Sequence, residues 1–165
     1  MIKVQKLPAS LEAAAKAFYL PILSDVPAGC KLILNNTRMH EPFLKMGEFA
    51  VVDVSDHRAR DGELFAIRQS NGPVIWQVAL TTDPGELQRR YQTTKTIVWL
   101  RPLRRVDIED AIRKADLERH RYPGRIPVLD VHLSDGPFGL DHFNKIVIGH
   151  VMGVFRLPKI VGMPS

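Results

Sequence analysis

Between residues 48 and 80 the chain passes through three β-rich stretches, "EFAVVDV" (48–54), "ELFAIRQ" (63–69) and "PVIWQVAL" (73–80), with no helix-length segment between them. "SDHRARDG" joins the first two and ends in Asp61-Gly62; Asn71-Gly72 joins the second and third. Asp-Gly is a strong turn former, and Asn-Gly between two strands signals a hairpin because both residues tolerate positive φ. Parallel neighbours need a crossover of about a dozen residues or more, usually a helix. The three stretches therefore predict an antiparallel sheet.

Further strands are predicted at "CKLILN" (30–35), at "KTIVWLRPL" (95–103), around 127–133, and at a long closing strand "KIVIGHVMGVFRL" (145–157). Helices are fewer. Ser10 is placed to cap a first one, with Ala13, Ala14, Ala17 and Phe18 on one face, and Pro21 and Pro27 mark its exit. "DPGELQRRYQ" (83–92) suits one helical turn. Asp107 is placed to cap "IEDAIRKADLERH" (108–120), whose apolar stripe is Ile108, Ala111, Ile112 and Ala115. Residues 134–141 read as a Gly/Pro/Asp loop. The expected fold is mainly β: a curved antiparallel sheet with two or three peripheral helices. Residues 1–27 form an N-terminal helix and linker. Residues 28–165 form the β domain, with a helical and basic insertion at about 83–144.

The chain has 165 residues, enough for one domain with a real core. Its single cysteine, Cys30, excludes an internal disulfide; with Leu32, Ile33 and Leu34 beside it, a buried structural thiol is expected. Glu12 and Lys16 interrupt the early apolar run at helical spacing, which predicts an amphipathic helix and not a signal peptide. "IVIGHVMGVF" (146–155) is too short to cross a bilayer. The chain is expected in the cytoplasm. The six histidines show no metal-ligand spacing, although His132 and His142 flank a loop with Asp130, Asp135 and Asp141. Neither a phosphate loop nor a dinucleotide fingerprint is present, so no metal or cofactor is expected. Trp76 and Trp99 are expected to fill the core.

Charge is unevenly spread. Residues 89–125 hold 11 Lys/Arg and 5 Asp/Glu, while the rest holds 12 and 13. One segment carries the whole net charge of +5. That permits a nucleic-acid surface using Arg89, Arg90, Arg101, Arg104, Arg105, Arg113 and Lys114. The competing reading is a solvated helix and its flanks.

The order of elements resembles the peptidase S24 family, the C-terminal domain of LexA, UmuD and phage repressors of the lambda CI type. Pro42, Leu44, Gly47 and Glu48 match the family's first element, "FAVVDV" and Arg60-Asp61-Gly62 the next, and "IGHVMGVFR" (148–156) the closing strand. Residues 35–80 and 145–157 carry the resemblance; 83–144 lie outside it. It implies a LexA-type sheet and a Ser-Lys peptidase dyad, in which a neutral lysine removes the serine proton. Here the serine position is Met39 and the lysine position Gln77. Neither a thioether nor an amide can do that chemistry. Thr37 with Lys45 or His40 is the remaining candidate for a relocated dyad. Ala28-Gly29 resembles the family's self-cleavage bond but lies only ten residues before Met39; a turn is expected there. Residues 1–27 are expected to hold at most one helix, so no helix-turn-helix is expected in them.

The expected function is therefore a catalytically inactive S24-like interaction module. The resemblance implies a homodimer, or a regulator acting on a repressor-like partner of phage or mobile-element type. Ile148, His150, Met152, Val154 and Arg156 of the closing strand are the candidate interface, on the premise that this strand is an exposed edge. A nucleic-acid-associated protein and a self-cleaving peptidase with a relocated dyad stand as alternatives.

Overall fold

The computed structural model of the chain describes residues 20–103, 108–126 and 134–157. The first helix, the caps Ser10 and Asp107, Arg104, Arg105, Asp130, His132 and the strand expected around 127–133 lie outside the described residues.

The fold is mainly β; the described residues form an open sheet of eight strands with three helices. In chain order the strands are β1 (Ile22–Leu23), β2 (Cys30–Leu34), β3 (Phe49–Asp53), β4 (Leu64–Gln69), β5 (Gly72–Thr81), β6 (Ile97–Arg101), β7 (Asp135–Gly139) and β8 (Val147–Phe155). The helices are α1 (Pro84–Glu86), continued by a π-helical turn at Leu87–Tyr91, then α2 (Ile108–Arg121) and α3 (Leu140–Ile146). The strand order is β2-β3-β8-β4-β5-β6-β7. Neighbours along it are antiparallel; only β1 departs, pairing parallel with β8 through Ile22↔Val154 and Leu23↔Phe155.

The β4–β5 hairpin forms as expected, one residue displaced. Gln69 pairs with Gly72, so Ser70-Asn71 is the two-residue loop. Gly72 then takes φ 110°, open to glycine and costly for other residues.

Alternation along the strands produces two apolar clusters. Phe65, Ile67, Trp76, Val78, Val98, Leu100 and Val147 lie in one, with Phe143 of α3 and Met39. Ala50, Val52, Leu64, Ala66, Ile75, Val151 and Val154 lie in the other, with Leu44. Since 64/66 and 65/67 go to different clusters, the clusters occupy opposite faces of the sheet. A sheet covered on both faces explains why "AVVDV" and "LFAI" read as nearly continuous apolar runs.

Three expectations fail here. Residues 134–141 are not a plain loop: they form β7 and begin α3, so the final strand starts at Val147 instead of Lys145. β7 tolerates Pro137 because it is the last strand and needs partners on one side only. Residues 22–23, placed in a linker, belong to the sheet, where the Val154 N–H donates to the Pro21 carbonyl at 2.8 Å. The closing strand β8 is no edge. It runs along β3 on one flank, and β4 and β1 share the other. β6 and β7, from the 83–144 region, widen the same sheet.

Candidate functional site

Residues 35–48 form the loop in which the resemblance would place a nucleophile, and their geometry starts from Asn35. This side chain is buried; its Nδ2 donates to the carbonyls of Thr37 (2.8 Å), Leu44 (3.2 Å) and Lys45 (3.1 Å). Its Oδ1 accepts the Thr37 N–H and hydroxyl at 3.4 and 3.3 Å. One amide thus ties both ends of the loop together. His40 is fully buried; its Nε2 lies 2.7 Å from the Ile75 carbonyl, and the Leu103 N–H donates to Nδ1 at 3.4 Å. The ring therefore carries its proton on Nε2, and its lone pair at Nδ1 is engaged. Glu48 closes the loop: it accepts the Lys45 N–H at 2.8 Å and binds Arg156 at 2.6 Å.

The two dyad positions do not meet. Met39 is 4% exposed and packs with Trp76 and Val78. Gln77 lies between those residues in β5, so its side chain points to the opposite face, across from Leu64. Its Nε2 donates to the Gly62 carbonyl at 2.8 Å. The relocated dyad fares no better in geometry: Thr37 bonds Asn35, His40 is bonded on both ring nitrogens, and Lys45 is exposed. Ala28-Gly29 is exposed, in a turn closed by the Cys30 N–H on the Pro27 carbonyl at 3.1 Å.

The motif residues instead hold the scaffold together. Asp61 Oδ1 accepts the Leu80 N–H at 2.8 Å, and the Gly62 N–H donates to Val78 at 2.8 Å. Arg60 grips Asp56 through two bonds, 2.6 and 3.2 Å, and reaches Glu63 at 2.6 Å. His150 Nε2 lies 2.7 Å from the same Glu63 carboxylate, and its ring is 5.2 Å from that of Phe65. His57 Nε2 lies 3.1 Å from the Ile148 carbonyl. The β3–β4 connection is thereby fastened over β8. The Arg60 guanidinium holds the Asp56 carboxyl below its usual range, and the carboxylates of Asp56 and Glu63 raise Arg60. Hydrogen bonds from Ser55 lower Asp53. Sequence reading missed this network because Asp56, Glu63 and His150 meet only through the β4–β8 pairing. The one local signal is the Asp56-x3-Arg60-x2-Glu63 spacing.

Other expected residues are dispersed. Arg89 and Arg90 sit on the π-helical turn, Arg101 on β6, and Arg113 and Lys114 on α2. Arg90 pairs with Glu86 at 3.3 Å. No group of three metal-ligating side chains occurs among the described residues, and His142 stacks on Phe138. Trp76 is buried; Trp99 is half-buried beside Tyr91. Cys30, expected to be buried, is half-exposed on β2, its thiol 3.6 Å from the Met152 sulfur. Of the closing-strand candidates, Val154 is buried, Ile148 and His150 are half-buried, and Met152 and Arg156 are exposed. Among the described residues, no helix is long and apolar enough to cross a membrane.

No family model, curated protein or solved structure matches this chain.

Proposed function

We propose that the chain is a catalytically inactive S24-like domain that works by binding protein, as a homodimer or as a regulator of a repressor-like partner in the cytoplasm. The observation that carries this reading is the fate of the two dyad positions. Met39 is core and Gln77 is a scaffold ligand on the other face. The surrounding motif is meanwhile fully used in holding strands together. A transcription-regulating role of phage or mobile-element type rests on the resemblance alone.

Two measurements test the reading together. Incubation at alkaline pH followed by mass spectrometry is expected to leave the chain whole; fragments ending at Ala28 or starting at Gly29 would establish a peptidase. Light scattering after size exclusion at tens of micromolar is expected to report a dimer.

A further inference from the structure

A sheet that is not closed has two edges, and these two differ. At one end β7 is guarded: Pro137 lacks an N–H, and the register shifts along its pairing with β6. At the other end β2 has no proline, no glycine and no bulge, and among the described residues no strand pairs with its outer side. Which backbone groups point outward follows from the ladder. Asn35 bonds inward, donating to the Glu48 carbonyl and accepting from Gly47. By antiparallel alternation Ile33 and Lys31 also face inward, and Leu34, Leu32 and Cys30 face outward. The Cys30 N–H is already taken by the Pro27 carbonyl. Among the described residues, the groups left open are therefore the N–H and C=O of Leu32 and Leu34 and the C=O of Cys30.

Those same residues put their side chains on one face. Ile33 packs into the cluster of Ala50 and Val52, so Cys30, Leu32 and Leu34 point the other way. Leu32 and Leu34 are 39% and 43% exposed, and Met152, beside Cys30, is 40% exposed. The strand's one charge, Lys31, is on the opposite face.

We infer that a second copy of the chain pairs here, β2 antiparallel to β2, about a two-fold axis at Leu32. This inference deepens the proposed interaction role and rests on it. The register is set by the free groups. Centred on Leu32, two bonds link Leu32 to its own symmetry mate, and two more run from each Leu34 N–H to the Cys30 carbonyl of the other copy. The already occupied Cys30 N–H is not needed. Centring on Leu34 would push half of each strand past Asn35, which turns into the loop, and centring on Cys30 would push it into the 27–29 turn. The Leu32 register also keeps the two Lys31 side chains opposite Ile33, so no like charges face each other. It joins Cys30, Leu32 and Leu34 of both copies into one apolar band. A five-residue edge is small for an interface, so dimerisation is expected to depend on concentration.

Leu32→Pro removes an N–H that the monomer's own sheet does not use; Leu34→Lys places a charge in the band. Both variants are expected to elute as monomers at tens of micromolar, where the wild type is dimeric, with circular dichroism unchanged. In a Cys30→Ser background, Leu32→Cys is expected to form an intermolecular disulfide under mild oxidation, because directly opposed residues of a hydrogen-bonded pair have Cα atoms about 5.5 Å apart. A wild-type monomer overturns the inference. A dimer untouched by Leu34→Lys and not crosslinked through Leu32→Cys overturns this surface while leaving the interaction role standing. Fragments under alkaline incubation remove that role itself.

Discussion

Gly149 and Gly153 give the closing strand its recognisable spacing, and the structure supplies a steric reason for both. A Cβ on Gly149 would lie 2.2 Å from the Asp53 carbonyl oxygen, and one on Gly153 2.6 Å from that of Pro21. Both obstacles are backbone, so neither moves cheaply. Gly149→Ala is expected to cost about 2–3 kcal/mol by urea unfolding, as overpacking of a fitted interior does. His40→Phe is expected to cost about 1–3 kcal/mol, because the Ile75 carbonyl and the Leu103 N–H lose their partner in the interior. Placing Ser at 39 and Lys at 77 together is expected to yield no self-cleavage by mass spectrometry, since the two side chains project to opposite faces. The residue types at 39 and 77 were legible in sequence. Their separation was not, because it depends on which face of β5 each neighbour takes.

At the level of elements, the most consequential feature is the connection from β3 to β4, pinned by Arg60, Glu63 and His150. Asp56 has a folded pKa below its ordinary 3.8. Its contribution is therefore present above about pH 4 and is lost as the pH falls through the depressed folded value. Stability is expected to decline on acidification below that point. Arg60→Ala should flatten the decline and cost about 1–2 kcal/mol at neutral pH, followed by urea unfolding at stepped pH. Most strands were readable within two residues, β2 to β6 through Val/Ile runs and turn residues. β7 was not, since "DGPFG" has loop composition and becomes a strand only by lying beside β6. α3 escaped notice because "LDHFNKI" is short and buries fully only Phe143, with Ile146 packed partly against the same cluster. β1 has two residues and exists only through β8.

For the whole molecule, sequence order concealed the sheet order. The closing strand carries a motif that suggested an exposed edge, yet it lies between strands made long before it. Strand order depends on pairings between residues far apart in the chain, and local pattern does not encode these. The charge imbalance was legible, and the structure distributes its described residues over the π-helical turn, β6 and α2. α2 carries Asp116 and Glu118 beside its basic residues, and Arg119 pairs with Asp116 at 3.6 Å. Labelled DNA and RNA are expected to show no binding at low salt; tight binding that weakens steeply with added salt would favour the nucleic-acid reading.

The central place of β8 also bears on how the protein is made. Until residue 155 has left the ribosome, β3 and β4 lack the strand that lies between them, and each exposes an unsatisfied ladder. A chain stalled or cut before Val147 is left with two sheet fragments that share no strand ladder, and it should be a target for chaperones and proteases.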